Sequence, residues 1–204
     1  MLFKKKISFT EDNFESIVEA CLGGNEQAQR ILFKQHFSFA KSVCLRYSSS
    51  HEEAEEILNE SFLKVFQNLA KYDLNQPFKA WLRTILINTS ISYYRKFHKQ
   101  TKDTIRLDDA PYPRFDDNVV ERITADEILD LVQQIKPIYR TVFLMYAVDG
   151  YSHREISDIL QVNEATVRSH FVRARARLQH LIKRFYPDYV PVSWETKSYG
   201  KNEN

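Results

Sequence analysis

Residues 78–102 read F-K-A-W-L-R-T-I-L-I-N-T-S-I-S-Y-Y-R-K-F-H-K-Q-T-K. Phe78, Trp81, Leu82, Ile85 and Leu86 recur at helical spacing and predict one apolar face. Asn88, Ser92, Arg95 and Lys99 follow at steps of four, three and four, which puts an amide, a hydroxyl and two cations on a second face. Tyr93 and Tyr94 stand beside it, and from Tyr93 to Lys102 there are four Lys or Arg and no acid. Cations suit phosphates, while aromatic rings and amides suit unstacked bases. The same pattern also fits an amphipathic helix with a solvated basic end, so the rest of the chain has to decide.

At 204 residues with 43% hydrophobic side chains, the chain can hold one or two cored domains. Four glycines and six prolines are few and favour helices. The net charge of +2 hides a segregation. Residues 51–60 carry five acids and no Lys or Arg, and 108–130 carry eight acids against two arginines. Residues 140–184 carry eight basic side chains against four acidic ones. Cys21 and Cys44 make no disulfide scaffold. Nothing reads as a signal peptide or as a stretch of about 18 apolar residues that would span a membrane. A reducing cytoplasm is the expected setting.

Either Thr10 or Asp12 is expected to cap a first helix over about 13–22, closed by Gly23-Gly24-Asn25. A second helix over about 26–48 carries only packing residues. Ser50 caps a third over about 51–71, with Ala54, Ile57, Leu58, Ser61, Phe62, Val65, Phe66 and Leu69 facing inward. Glu53, Glu56 and Glu60 lie on the opposite side with Glu52 and Asn59. Such crowding costs a few tenths of a kcal/mol per like-charged helical pair, a cost that a basic partner relieves and solvent tolerates.

Residues 103–120, with Asp108-Asp109, Asp116-Asp117, Pro111 and Pro113, break the helical repeat and read as a flexible linker. Beyond it, Ile123, Ile128, Leu129, Val132 and Ile135 predict one helix. Pro137 opens the next, with Val142, Phe143 and Tyr146 as its inner face. Ser152 and Glu155 form a capping box on a short helix, and Asn163 caps a longer one over about 164–185. Two helices joined by Gln161-Val162-Asn163, the second rich in arginine, form a helix-turn-helix pattern. The fold class is therefore all-α: two small helical domains joined by a flexible linker, the second a helix-turn-helix domain. The boundaries fall at 10–102, 103–120 and 121–186, with an irregular tail over 187–204.

These motifs resemble a sigma-70 family RNA polymerase sigma factor of the extracytoplasmic-function (ECF) group. The resemblance covers roughly 14–185. Glu53-Ala54-Glu55-Glu56-Ile57 and Phe62-Leu63-Lys64-Val65-Phe66 resemble the acidic helix that docks on the polymerase clamp. Phe78-x-x-Trp81-Leu82-x-x-Ile85-x-x-Asn88 and Tyr93-Tyr94-Arg95-Lys96 resemble the reader of the −10 element. Asp149-Gly150-Tyr151-Ser152-x-x-Glu155, Ala165-Thr166-Val167-Arg168-Ser169 and Arg173-Ala174-Arg175 resemble the reader of the −35 element. Ser92 departs from the family's Asp, Ala165 from its Gly and Asn59 from its Gln.

The resemblance implies promoter recognition, DNA opening and transcription initiation in a bacterial cytoplasm. Core polymerase would bind at Glu53, Glu56, Asn59 and Glu60, and the −10 element at Asn88, Ser92, Tyr93, Arg95, Lys96 and Lys99. The −35 element would bind at Thr166, Arg168, Ser169, Arg173 and Arg175; which arginine meets a base and which a phosphate stays open. The implied partners are core RNA polymerase, through its clamp and flap regions, promoter DNA, and an anti-sigma factor, membrane-bound in some members. No cofactor, metal site or catalytic residue is expected. The six histidines form no HExxH site, no CxxC pair exists, and no glycine-rich phosphate loop occurs. A helix-turn-helix repressor or activator is the alternative, distinguished by binding duplex DNA without core polymerase.

Overall fold

The computed structural model describes residues 9–97 and 124–189, and among these every regular element is helical. The linker over 103–120, Lys99 and the tail beyond 189 lie outside the described residues. The chain divides into two compact units, Met1–Thr101 and Lys102–Asn204. No described helix is long and apolar enough to cross a membrane.

The first unit holds α1 (Phe14–Leu22), α2 (Glu26–Tyr47), α3 (His51–Asn68) and α4 (Phe78–Phe97). Asn13, not Thr10 or Asp12, caps α1: its Oδ1 accepts the Ser16 N–H at 2.9 Å. Thr10 instead offers its carbonyl to the Asn13 N–H. Asn25 both follows the Gly23-Gly24 turn and caps α2. Ser50 caps α3 as expected, through the Glu53 N–H at 3.2 Å. α3 stops at Asn68, and Leu69–Lys71 tighten into a single 3₁₀ turn.

Leu32, Val43, Ile57, Val65, Leu82 and Leu86 are fully buried where α2, α3 and α4 meet. Burying each such side chain contributes about 1.5–3 kcal/mol before the entropy of ordering is counted. An aromatic cluster fixes the entry of α4. Phe78 lies 5.1 Å from Phe14, 4.7 Å from His36 and 5.2 Å from Tyr72, ring centre to ring centre, all edge-on. Burial holds the His36 imidazole below its usual pKa and so favours the neutral ring.

α4 departs from the expected two-faced helix. Phe78, Leu82 and Leu86 are buried as expected, but so are Ile87, Thr89, Ser90 and Ile91, whereas Trp81 and Ile85 are only half-buried. The helix packs against both α2 and α3, so its hidden surface is wide. Ser90 tolerates burial by donating to the Leu86 carbonyl at 2.8 Å.

The second unit holds α5 (Ala125–Gln133), α6 (Pro137–Ala147), α7 (His153–Leu160) and α8 (Glu164–Phe185). Thr124 and Glu127 form a capping box at α5, so this helix starts past Ile123 and ends before Ile135. Pro137 opens α6, and the Ser152–Glu155 box opens α7. On α6 the buried positions are Arg140, Thr141, Val142, Leu144 and Met145; Phe143 is half-buried and Tyr146 is exposed, contrary to the expected inner face. α8 packs on α6, α7 and α5 through Val167, Ala174, Leu178, Leu181 and Ile182.

Candidate polymerase and DNA interfaces

The acidic face of α3 forms where expected, but its charges are engaged within the chain. Glu53 is half-buried and accepts the Ser49 N–H at 2.6 Å. Glu55 lies 3.7 Å from Lys41, and Glu60 lies 3.2 Å from Lys64. Glu56 accepts the Tyr93 hydroxyl at 2.7 Å. The predicted like-charge repulsion is therefore softened before any partner arrives. Leu63, part of the motif that resembles the clamp-docking helix but not among its expected contact residues, is 53% exposed. It continues the exposed line Glu52, Glu56, Asn59 at steps of four, three and four, placing an apolar contact in a charged face.

The predicted strand-reading side of α4 forms one wall of a groove. Trp81, Ile85, Asn88, Thr89 and Ser92 face Lys64, Asn68 and Lys71 of α3 and its 3₁₀ extension, around about 290 Å³ of open space. Trp81, Ile85, Asn88 and Ser92 follow at four, three and four, so the polar line continues N-terminally into apolar side chains. The groove thus has an aromatic and an aliphatic wall, two amides, two cations and no carboxylate. The Asn68 amide is used internally, donating to the Lys64 carbonyl at 2.9 Å and accepting from Lys71 at 3.1 Å. Ser92 gives its hydroxyl proton to the Asn88 carbonyl at 2.7 Å. Asn88 is exposed at the groove. This chemistry suits a planar base with polar edges, held near its phosphate.

The other expected −10 residues are placed differently. Tyr93 turns to α3 and packs on Phe97 at 4.5 Å. Its bond to Glu56 pushes its pKa up to about 12. Arg95 is half-buried, and Lys96 is exposed above the Phe97 ring at 4.9 Å.

In the second unit the connection between α7 and α8 is tight. Gln161 takes the left-handed conformation at φ 54°, a strained choice for a side chain with a Cβ, and Ser157 clasps the Val162 carbonyl at 2.6 Å. Asn163 accepts the Thr166 N–H at 2.7 Å and starts α8. Thr166 and Ser169 are half-buried on the first turns. Arg168 is exposed and reaches back to Glu164, with Nε 3.1 Å from Oε1; that bond lowers the Glu164 pKa. Arg173 is half-buried and donates to the Tyr139 hydroxyl at 3.4 Å, and Arg175 lies over the Phe171 ring at 5.7 Å. The five expected residues therefore divide by exposure: Arg168 is exposed though paired with Glu164, while Thr166, Ser169, Arg173 and Arg175 are half-buried.

Both surfaces fall inside recognised segments. Residues 32–100, from α2 through α4, match sigma-70 region 2, and residues 125–178, from α5 into α8, match sigma-70 region 4. The chain belongs to the sigma-70 family. It is similar to the RNA polymerase sigma-H factor of Pseudomonas aeruginosa, 23% identical over 185 residues that cover 85% of this chain and 96% of that one. It is also similar to the ECF RNA polymerase sigma factor SigW of Bacillus subtilis, 27% identical over 154 residues, 69% of this chain and 81% of that one. A solved sigma factor RpoE from Bartonella quintana, in complex with the anti-sigma factor NepR, aligns at 24% identity and a TM-score of 0.44, covering 74% of this chain and 96% of that one. As an ECF sigma factor, the chain acts in transcription initiation through core RNA polymerase and promoter DNA.

Proposed function

We propose that the α3–α4 groove receives a base extruded from the −10 element, and that this capture holds the opened promoter. The groove's composition carries the reading: Trp81 and Ile85 supply contact area, Asn88 an amide for a base edge, and Lys64 and Lys71 charge for the backbone. Arg95 and Lys96 at the end of α4, with Lys99 beyond the described residues, contribute charge for the same strand. Glu53, Glu56, Asn59 and Glu60, with Leu63 as an apolar anchor, dock on the polymerase clamp. α8 enters the −35 major groove through its first turns, with Thr166, Arg168 and Ser169 toward the DNA. Residues 10–102 and 121–186 act as the two binding domains, with 103–120 as the span between them.

Bond formation belongs to the polymerase, and this chain contributes binding and opening. Its site of action is the bacterial cytoplasm, where polymerase and promoter meet. An anti-sigma factor is a further proposed partner, by analogy with the NepR complex of the Bartonella protein.

The test is photo-crosslinking from a non-template strand carrying a thio-substituted base at each −10 position in turn, in complex with reconstituted holoenzyme. One position is expected to crosslink to the peptide spanning residues 81–92. Crosslinks confined to other segments would remove the groove from the strand path.

A further inference from the structure

Two bridges tie the acidic face of α3 to α4. The Tyr93 hydroxyl donates to Glu56 Oε2 at 2.7 Å. Lys64 Nζ stands 3.2 Å from Glu60 Oε1 and 3.5 Å from Thr89 Oγ1, and both Lys64 and Thr89 line the groove. In each bridge a carboxylate of the acidic face holds a donor: Lys64 at the groove, and Tyr93 on α4 next to the groove residue Ser92. Glu56 and Glu60 are both exposed, so a partner's cation can reach them. A phenol and an ammonium are also the groups a phosphate oxygen accepts from, so each donor has a second use once its carboxylate is taken.

Resting on the reading that α3 docks on polymerase, we infer that the α3–α4 seam is a handover: basic groups of the polymerase take Glu56 and Glu60, and the released Tyr93 and Lys64 bind the non-template strand. In the free chain the same carboxylates occupy both donors and place negative charge beside the groove, which disfavours a phosphate there. Polymerase binding neutralises that charge and frees the donors together. The coupling is reciprocal, so strand binding tightens polymerase binding by the same factor.

The experiment titrates the full chain against core RNA polymerase without DNA, for the parent, Tyr93→Phe, Glu56→Gln and the double variant. A parallel set uses Lys64→Met, Glu60→Gln and their double. Tyr93→Phe keeps the ring on Phe97 and removes only the donor. Each donor deletion is expected to raise core affinity about two- to fivefold, as for a surface contact of this kind, and to do nothing once its carboxylate is gone. In holoenzyme the same deletions weaken binding of a non-template oligonucleotide from a library-selected promoter, and Lys64→Met lowers the salt slope by about 0.7. Unchanged core affinity in Tyr93→Phe, or an equal gain in the Glu56→Gln background, would overturn the handover while leaving docking intact. Full core affinity in Glu56→Lys would overturn docking and handover together.

Discussion

The helices α4 and α8 both carry side chains proposed to face DNA, and they do so from opposite kinds of burial. α4 is enclosed by α2 and α3, and its hidden side chains run from Phe78 and Leu82 through Leu86 and Ile87 to Ile91. Its outward side includes the groove line Trp81, Ile85, Asn88 and Ser92, which begins with half-buried apolar side chains, beside the exposed Lys79, Ala80 and Thr84. The early turns of α8 keep one buried line, Val167 and His170, with Ala165 and Arg168 exposed around it. An element packed on one side shows its exposed face in the spacing of its residues. An element packed on two sides mixes apolar residues into its functional face, and periodicity then assigns them to the core.

The strongest way to break this comparison is to mutate neighbours in α4. Leu82→Ala should cost about 2–5 kcal/mol, because a fully buried leucine leaves a cavity. Trp81→Ala should cost clearly less in stability and more in open-complex formation, since its ring covers Tyr72 at 5.2 Å yet also lines the groove. Urea unfolding followed by circular dichroism ranks the two. Equal destabilisation would put Trp81 back in the core and remove it from the strand surface.

The two arginines of α8 sharpen the same contrast. Arg168→Ala should lose about 1–3 kcal/mol of −35 discrimination if its guanidinium reads a base, or lower affinity for all sequences if it meets a phosphate. Arg173→Ala should mainly disturb the packing against Tyr139. Duplex binding by holoenzyme on −35-dependent and −35-substituted promoters, with a thermal melt of each variant, checks both. A larger promoter-specific loss in Arg173→Ala would reverse the assignment.

Helix starts allow a smaller and more local test. Ser152→Ala should cost about 1 kcal/mol, because the hydroxyl holds the Glu155 N–H at 3.2 Å. Asn13→Ala should cost a similar amount and Asp12→Ala under about 0.5 kcal/mol, the usual size for a surface change. Chemical denaturation of the three variants decides it, and an Asp12 effect as large as that of Asn13 would move the α1 cap.

These starts also show what the sequence made legible. Ser50, Pro137, Ser152 with Glu155, and Asn163 were readable because a cap acts within one turn, so its partner is a fixed number of residues away. Asn13 was lost among three capping-type side chains within four residues, Thr10, Asp12 and Asn13, and Thr124 was hidden because Ile123 extended the apolar pattern across it. The groove was only half legible. Asn88 and Ser92 stood out, but Lys64, Asn68 and Lys71 come from another helix, and periodicity within α4 cannot name its neighbour. One signal was available: running the Asn88–Ser92 line backwards by three and four reaches Ile85 and Trp81. The engagement of Glu56 by Tyr93 spans 37 residues and was beyond any local pattern.

An equally small change in stability is expected at Asn88, and it separates fold from function most cleanly. The side chain is exposed, so Asn88→Ala should shift stability by no more than about 0.5 kcal/mol. Its backbone carbonyl, which accepts the Ser92 hydroxyl at 2.7 Å, is retained in the variant, and α4 should keep its geometry. Recognition of the −10 element should nevertheless fall, because an amide that pairs with a base edge has no substitute in a methyl group. Open-complex formation on duplex and on pre-melted promoters, with a thermal melt of the same protein, reads all three terms. Weak opening on duplex with full rescue by pre-melting would place Asn88 in the melting step; weak binding on both templates would place it on the captured base. A melt lowered by as much as that of Leu82→Ala would show that Asn88 supports the fold, and parent-like behaviour on both templates would leave Trp81 and Ile85 to hold the base by contact alone.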